Sequence, residues 1–495
     1  MPRFAIPDED ALAPLVIGLD VGSGGARAGV YDATGREVGK RTHKQPHGFT
    51  VGDDGTSTID ADVIVEGLRT ALGKVLSDPL PGPVMAIGFD AFASSLVVVD
   101  EAGEPLTPCI TYADTRCRTQ VAALRESLDP VALHERTGAR LHSSYTAPRL
   151  AWLREEHPDV FSRAHRFMAL GEYVALKLLG TPALGTASAA WSGMIDRRTG
   201  QYVPELLEAV GVDAAMMGTP LDPSDALPLA GTPLAKEFPQ LKEAVWVPVI
   251  GDGLAANIGI GALGPTTWGI STATSGAIRQ LITGETPTLP TGLWAYRVDA
   301  DRTLVGSAMS DCGRVLDWAR NQFSLADDIS TWDTDELFAA APESSTPLVV
   351  PFFSGERGTQ WRDGARALYA NVSASTTAED LLRGSMEGVA LSYLRIADQL
   401  TEMGGTPERI VLSGGMTEAI PAWLHLLSDA LGAPIDHVAI SRSTMRGSAV
   451  LALEQAAPGV EVAEAPVRNR IEPRPEHADY YRERLDRFEK LADLA

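Results

Sequence analysis

Long hydrophobic runs are absent from this chain of 495 residues, and its first fourteen residues, MPRFAIPDEDALAP, contain no apolar core. Because a bilayer-spanning helix needs about 20 consecutive apolar residues, we expect no membrane partner. The N-terminal segment matches neither a signal peptide nor a transit peptide. Cysteine is also scarce: Cys109, Cys117 and Cys312 are odd in number and lack metal-ligand spacing. We therefore expect buried thiols in a reducing cytoplasm.

Positive charge is a further deficit, with 42 basic against 65 acidic residues and a formal net charge of −23. This balance argues against nucleic acid or an anionic membrane as a partner. A polyphosphate ligand would need local positive potential from magnesium, helix N-termini and backbone amides. The length of the chain predicts two large domains or more.

Two common phosphate-binding glycine loops are also absent from residues 16–32, VIGLDVGSGGARAGVYD. A dinucleotide-binding loop would need a third glycine where Arg27 stands, with a helix after it, and a P-loop would need Gly-Lys-Ser/Thr. The pattern instead predicts a buried strand ending at Asp20, a glycine-rich turn and a second strand. Such a hairpin tip exposes backbone N–H groups beside a carboxylate, and can hold a phosphate and a magnesium ion. An ordinary tight hairpin is the alternative.

The same hairpin pattern recurs much later in the chain, in residues 267–282, TWGISTATSGAIRQLI. An apolar strand leads to a small polar turn at 272–276, and a second strand follows. Each half of the chain therefore begins with a hairpin of the same pattern, and the two halves are similar in size. This suggests duplicated domains that face each other. A phosphate chain held between the two tips is a more specific interpretation than either hairpin supports alone.

An acid stands at a strand-to-helix corner near the middle of the chain. In residues 245–264, VWVPVIGDGLAANIGIGALG, a strand ends just before Asp252, which opens a helix rich in Ala and Ile. Ligands collect at such corners, and we expect the helix dipole to hold Asp252 ionised. A simple N-cap is the alternative. The domain boundary is placed before this strand, which gives an N-terminal domain over 1–244, a C-terminal domain over 245–482 and a C-terminal helix over 483–495.

Several other segments suggest structure or binding. Helical spacing predicts helices over 60–76, 167–180 and 377–400, and their mixture with strands is typical of an α/β domain on a mixed sheet. Asp114 and Arg116, in TYADTRCR, could make directional contacts to hydroxyls or carboxylates, or Asp114 could cap a helix. His142, in LHSSY, could bind substrate or be structural. Gly-Gly after the strand at 410–412 would let a purine approach the backbone.

Taken in order, these motifs resemble the FGGY carbohydrate kinases, which have the actin/Hsp70/sugar-kinase fold. The likeness covers nearly the whole chain. It rests on seven short motifs: Asp20-x-Gly22, Asp114-x-Arg116, Gly251-Asp252, Thr274-Ser275-Gly276, Ser354-Gly355-Glu356-Arg357, Gly414-Gly415 and Arg446-Gly447. Within the family, residues 112–116, His142 with Tyr145, Trp152-Leu153 and the TSGAIR run are most similar to the gluconate-kinase branch. The implied fold class is α/β, with two ribonuclease-H-like domains and an interdomain cleft.

The resemblance implies ATP-dependent phosphorylation of a primary hydroxyl on a small sugar, a gluconate-like sugar acid or a polyol. ATP and Mg²⁺ are the implied cofactors, the location is cytoplasmic, and the protein would be a monomer or homodimer. Asp252 would be the catalytic base and Asp20 the magnesium ligand. The implied substrate contacts are Asp114, Arg116, His142, Tyr145 and Ser94. The implied nucleotide contacts are Gly22, Ser23, Gly24, Arg27, Thr274, Ser275, Gly276, Gly313, Gly414, Gly415 and Met416.

Some positions depart from the family pattern. The first tip lacks two hydroxyls that relatives usually carry after the glycine, and Ala273 replaces a glycine in the second tip. Ala93 and Ser94 stand where many relatives have a Met-His or Trp-His pair that touches substrate. These changes leave a second hypothesis open, a catalytically weak paralogue that binds nucleotide and sugar as a sensor or partner protein. An actin-like filament or chaperone ATPase is disfavoured, because those proteins lack the substrate motifs.

Overall fold

The computed structural model describes residues 4–323, 334–362 and 364–495. Its strands in chain order are β1 (Ala5–Ile6), β2 (Leu15–Gly22), β3 (Gly25–Tyr31), β4 (Glu37–Gln45), β5 (Thr50–Val51), β6 (Ser57–Ile59), β7 (Val84–Ala91), β8 (Val97–Val99), β9 (Cys109–Ile110), β10 (Arg166–Met168), β11 (Leu184–Gly185), β12 (Pro220–Leu221), β13 (Leu227–Pro228), β14 (Val245–Trp246), β15 (Ile250–Gly251), β16 (Thr267–Thr272), β17 (Gly276–Thr283), β18 (Trp294–Arg297), β19 (Arg302–Met309), β20 (Leu348–Val350), β21 (Leu368–Ala370), β22 (Arg409–Ser413), β23 (Ile435–Val438) and β24 (Val467–Ile471).

The α-helices in chain order are α1 (Ala61–Val75), α2 (Arg118–Ser127), α3 (Pro130–Thr137), α4 (Thr146–Glu156), α5 (Pro158–Arg163), α6 (Leu170–Leu179), α7 (Thr186–Ala190), α8 (Pro204–Val210), α9 (Pro233–Glu237), α10 (Asp252–Gly259), α11 (Gly313–Gln322), α12 (Thr334–Ala339), α13 (Ala378–Gly404), α14 (Gly415–Ala419), α15 (Trp423–Leu431), α16 (Ser443–Ala456) and α17 (Ala478–Ala492).

The first mixed sheet has the strand order β1-β4-β3-β2-β7-β14-β13, and β15 also pairs with β7. Strands β2, β3 and β4 form an antiparallel meander, and β7 runs parallel to β2 after the crossover through α1. Helix α1 begins where the spacing predicted, since the Asp60 carboxylate accepts the N–H of Asp62. Its buried face packs on β3 and β4 and covers one side of the sheet.

The second mixed sheet repeats this plan, with the order β18-β19-β17-β16-β22-β23-β24. Strand β16 is antiparallel to β17 and parallel to β22. The long helix α13 connects the meander to β22, and Thr377 and Asp380 form the capping box that starts it. The predicted duplication of an α/β domain is therefore confirmed, with one apolar core under each sheet.

The first sheet continues beyond the predicted domain boundary at residue 245. Both β14 and β15 pair in parallel with β7, so the two sheets divide after Gly251 and before Thr267. The reason is non-local: these strands return to β7 after an insertion of more than a hundred residues, in which helices α2 to α5 and α8 pack around a separate core. A composition change could not reveal that pairing.

Helices α10 and α16 cross between the two sheets. Although α16 lies late in the chain, it packs on β2 and β7 of the first sheet. The crossing is close because it has glycine on both helices: a Cβ on Gly259 would collide with the carbonyl of Ser443, and a Cβ on Gly447 with that of Ala255. The crossing therefore packs a late segment of the chain against the first sheet.

The C-terminal segment is an amphipathic helix, as its charge pattern predicted, but it starts at Ala478 after strand β24. Tyr481, Leu485 and Phe488 are buried against the second domain. Among the helices of the described ranges, none combines the length and apolar character needed to cross a bilayer.

Candidate active site

Three aspartates meet where parallel strands of the first sheet end at the cleft. Asp20 on β2 is paired directly with Asp90 on β7, and Ile250 of β15 pairs with Asp90 from the other side. Asp252 follows two residues later, as the first residue of α10. The carboxyl ends of parallel strands form one edge, which brings these side chains together. The predicted strand-to-helix corner at Asp252 is confirmed.

The electrostatics of Asp252 differ from the expectation. Burial, assisted by the negative charge of Asp20, raises the pKa of Asp252 to about 6, although Arg279 and the N–H of Gly253 oppose the rise. The helix N-terminus therefore does not determine the pKa of Asp252. Loss of hydration destabilises the carboxylate more than the helix dipole stabilises it. A carboxyl group with a pKa near 6 remains mostly ionised at neutral pH and can still accept a proton.

Asp90 was missed in the sequence. Both of its carboxyl oxygens are buried without a hydrogen-bond partner. Burial and the charges of Asp20 and Asp252 hold the pKa of Asp90 well above its usual range. The available signal was an acid at the end of an otherwise apolar strand, the same signal that identified Asp20.

The first hairpin forms as predicted, with a glycine-rich tip. Gly22 pairs with Gly25, and Ser23 and Gly24 are exposed between them. Arg27, a predicted nucleotide contact, donates to the Asp20 carboxylate over 2.5 Å. Asp20 is therefore held by its hairpin partner within β2 and does not terminate the strand.

Lys44 adds a positive charge at this tip that sequence reasoning missed. It pairs with Arg27 across β3 and β4. Its side chain lies along the glycines of the tip, with Nζ 3.9 Å from the position that a Cβ on Gly24 would occupy. Two cations therefore stand at the first tip of a strongly acidic chain. Only the strand register, which the sequence did not specify, places Lys44 there.

The second hairpin exposes Thr274 and Ser275 at its tip and buries Gly276. The carbonyls of Ala273 and Thr274 accept backbone N–H groups from the start of α11, including that of the predicted nucleotide contact Gly313 over 2.8 Å. These bonds fix the shape of the tip.

The predicted adenine-side segment 414–416 connects β22 to α14. Gly414 has φ 146°, and a Cβ there would collide with the Thr272 carbonyl, so glycine is required. Gly415 is exposed, with nothing within 4 Å of its Cβ position. The Met416 side chain points into the core and contacts Cys312. A cavity of about 660 Å³ adjoins α14, between β4 and the loop after β23.

A second cavity, of about 190 Å³, lies beside Asp252. Two predicted substrate residues, Ser94 and Tyr145, line it, together with Ser275 and Gly276 of the second tip. The Ser94 hydroxyl donates to the Trp191 carbonyl over 2.6 Å, and Ser94 has φ 54°. Asp252, the second hairpin tip and two predicted substrate residues thus border one space.

The walls of this cavity are aromatic and come from both domains. Trp191 stacks on Tyr296 with ring centroids 4.1 Å apart, and the Trp294 ring lies 4.6 Å from Tyr296 and 5.5 Å from Trp191. The Tyr145 hydroxyl lies 2.6 Å from that of Tyr296. Trp191, Trp294 and Tyr296 were not predicted from the sequence, because Trp191 lies more than a hundred residues from the other two rings.

The other three predicted substrate residues do not line the cavity. Asp114 is buried and accepts from the N–H of Ser57 and from the Arg116 guanidinium, which lies over the Trp152 ring at 4.4 Å. Asp114 does not cap α2, which starts at Arg118. His142 lies behind the wall, with its ring 5.7 Å from that of Trp361. The substrate roles of Asp114, Arg116 and His142 stay predictions.

A loop of the second domain completes the cavity with Arg357 and Trp361. Its anchor is Glu356, whose buried carboxylate binds Arg395 over 3.0 Å and Arg362 over 2.9 Å. Asp311 fixes the start of the loop by accepting the N–H and hydroxyl of Ser354. The charged motif at 354–357 therefore supplies both the anchor and a cation that faces the pocket.

Comparison with known proteins agrees with this architecture. The gluconokinase of Bacillus subtilis is 23% identical over 448 residues, which cover 88% of this chain and 87% of the relative. The glycerol kinase of Nocardia farcinica is 27% identical over 472 residues, with 88% and 89% covered. The solved structures of a ligand-bound xylulose kinase and a gluconate kinase, both from Lactobacillus acidophilus, have TM-scores of 0.89 and 0.88 at 22% and 21% identity, each covering 97% of this chain and 98% of the other.

The structural likeness confirms the predicted fold class, with its two α/β domains and cleft. The family profiles go further. The N-terminal domain of the FGGY family of carbohydrate kinases matches residues 15–259, and its C-terminal domain matches residues 272–456. Two matches that follow one another and span most of the sequence show that this chain belongs to the FGGY family of carbohydrate kinases.

Proposed function

We propose that this protein transfers the γ-phosphoryl group of ATP to a primary hydroxyl of a small sugar, sugar acid or polyol, with Asp252 as the base. The observation that carries the proposal is the shared cavity. Asp252 and the tip residues Ser275 and Gly276 border one space of about 190 Å³. A hydroxyl bound there can contact the carboxylate and a phosphate at once.

The proposed role of Asp252 is to orient the hydroxyl and accept its proton as the new phosphate ester forms. General-base catalysis typically contributes about 10²–10⁴-fold. A modest base suffices because phosphoryl transfer depends mainly on positioning and on charge neutralisation. Arg279, on the cavity wall beside Gly253, offsets negative charge close to the reacting groups.

The proposed phosphate site lies between the two hairpin tips. The exposed backbone of residues 22–24 and 274–275 offers N–H groups, and Lys44 and Arg27 supply positive charge on one side. The glycines at 414–415 would border the adenine, beside the larger cavity at α14. We assign most sugar contacts to the first domain and most nucleotide contacts to the second.

The residues present fit a magnesium ion. Among the described residues, no three His, Cys, Asp or Glu side chains form a metal cage. Mg²⁺ does not require one, because it usually keeps several waters and binds one or two carboxylates plus substrate phosphates. Asp20 would hold it, and the unpartnered oxygens of Asp90 lie beside Asp20. When bound, the ion would neutralise phosphate charge.

We place the reaction in the cytoplasm, because Cys109, Cys117 and Cys312 are all buried and free. We also expect the domains to close on substrate, since water beside an unprotected γ-phosphate would react in its place. Both cavities lie between the domains, so closure would reshape them together.

The test is ADP release with Mg-ATP against gluconate, xylulose, ribulose, glycerol, erythritol and related polyols, with Asp252→Ala as control. One strong substrate whose turnover disappears in Asp252→Ala, while ATP binding remains, supports the proposal. Tight nucleotide binding with no turnover on any compound would refute it and favour the weak paralogue. Equal loss of binding and turnover in Asp252→Ala would make Asp252 a structural residue.

A further inference from the structure

Two guanidinium groups in the 190 Å³ cavity lack a carboxylate partner. Arg279 on β17 donates from Nη1 to the Ser271 hydroxyl over 3.3 Å, and its Nε is buried without an acceptor. Arg357 lines the same cavity, and across the ranges described it makes no hydrogen bond or ion pair. Neither residue forms an ion pair with Asp252, although all three border the cavity.

Such an arrangement is unexpected in a chain with 65 acidic and 42 basic residues. Some arginines near the cleft have acidic partners, such as Arg27 with Asp20 and Arg116 with Asp114, whereas Arg149 and Arg446 donate to backbone carbonyls. An enclosed donor without an acceptor carries a desolvation penalty that a bound anion would remove. The cavity is therefore built to receive negative charge as well as hydroxyl groups.

The two arginines come from different elements on the wall of the cavity. Arg279, on β17, lies beside Gly253, next to the proposed base. Arg357 lies on the loop of the second domain, and its positive charge opposes the burial-driven rise in the pKa values of Tyr145 and Tyr296. Both arginines oppose the rise in the pKa of Asp252. Because Arg357 and Asp252 border the same space, a substrate whose hydroxyl meets Asp252 can present a second polar group to Arg357.

We propose that the substrate is a sugar acid whose carboxylate binds Arg357, at the end of the molecule opposite the hydroxyl that is phosphorylated. This inference rests on the proposed function and narrows its substrate class. Arginine suits the task because its planar fork matches a carboxylate in a bidentate pair. Glu356 forms its ion pairs with Arg395 and Arg362. It therefore anchors the loop that carries the neighbouring Arg357 without neutralising the Arg357 charge.

The test compares acids and alditols with the same carbon skeleton: D-gluconate with D-glucitol, D-xylonate with xylitol, and D-erythronate with erythritol. Each pair differs at one terminal carbon, so the ratio of kcat/KM for acid over alditol isolates recognition of the carboxylate. For the wild type we expect a ratio of at least about 10², since sites built to bond a polar group reject analogues that lack it.

In Arg357→Gln, which removes the charge, the ratio should fall about 10–100-fold, mainly through a higher KM for the acid. Arg357→Lys should restore part of it. Arg297→Gln is the matched control. Arg297 lies on β18, next to Tyr296, but donates to the Arg198 carbonyl outside the cavity. The acid-to-alditol ratio of this variant should equal that of the wild type. Arg279→Gln should lower kcat for acid and alditol alike.

Three results would overturn the inference. The wild type could use alditols or ketoses as well as acids, Arg357→Gln could lower both rates without changing the ratio, or only Arg279→Gln could change the ratio. In each of these cases the kinase activity itself stands. The proposed function fails separately, through absence of ADP release with every compound.

Discussion

The pH dependence of turnover follows from the surroundings of Asp252. Its carboxyl group has a pKa of about 6, because burial and the charge of Asp20 outweigh Arg279 and the helix N-terminus. A base acts only when ionised, so kcat/KM should fall as the pH drops through 6. An ordinary exposed aspartate, with a pKa of about 3.9, would keep the rate constant to well below pH 5.

The size of the effect can be worked out directly. With a pKa of about 6, roughly nine-tenths of the Asp252 side chains are ionised at pH 7 and about one-tenth at pH 5. The rate should therefore fall about tenfold for each pH unit below 6 and reach a plateau above 7. Asp252→Asn, which keeps the shape and removes the base, should lower kcat by about 10²–10⁴-fold above pH 7, and its residual activity should lack the fall below pH 6.

The assay should detect ADP directly, by chromatography, since coupling enzymes have pH optima of their own. ATP affinity and thermal stability measured at each pH separate loss of catalysis from loss of binding or folding. A rate that stays constant from pH 7.5 to pH 5 would refute the assignment of Asp252 as a buried base. So would an acid limb that persists unchanged in the residual activity of Asp252→Asn.

Four further predictions concern the phosphate tips, the metal, the helix crossing and closure. Lys44→Gln should raise the Kd for ATP about five- to tenfold, an effect that added salt should diminish, and titration calorimetry would measure it. Asp90→Asn should raise the Mg²⁺ concentration for half-maximal ADP release about tenfold; an unchanged Mg²⁺ titration would contradict it. Gly447→Ala should cost about 1–3 kcal/mol, because its Cβ meets the Ala255 carbonyl, and should lower Tm. ATP hydrolysis without a sugar should be slow, and vigorous sugar-independent hydrolysis would contradict domain closure.

Local features could be predicted from the sequence. Both hairpins, the caps at Asp60 and Thr377, and the corner at Asp252 depend on residues close together in the chain, and the structure has each of them. Turn chemistry and capping act over a few residues, so their signals survive without tertiary information.

Features that depend on pairing across the fold could not be predicted in this way. Lys44 reaches the first tip through the register of β3 and β4, and the tyrosine and tryptophan wall joins residues from both domains. For the same reason the sequence did not show that the first sheet continues past residue 245, where β14 adds to β7 after a long insertion. Asp90 is the exception. Its position at the end of an apolar strand is a local signal, so its place in the site could have been predicted from the sequence.

The altered first tip does not by itself imply a weak enzyme. The hydroxyls missing at this tip would each have offered a neutral hydrogen bond, whereas a bond from a cation to a phosphate is about twice as strong. Lys44 supplies such a cation at the glycines that replace them, and glycine allows a phosphate to approach the backbone closely. Arg27 lies beside it, although its bond to Asp20 limits what it can offer a phosphate. In this tip, the Lys44 charge and accessible backbone N–H groups therefore stand in place of side-chain hydroxyls. That exchange is consistent with turnover, and it makes phosphate binding more dependent on ionic strength than a hydroxyl-lined tip would be.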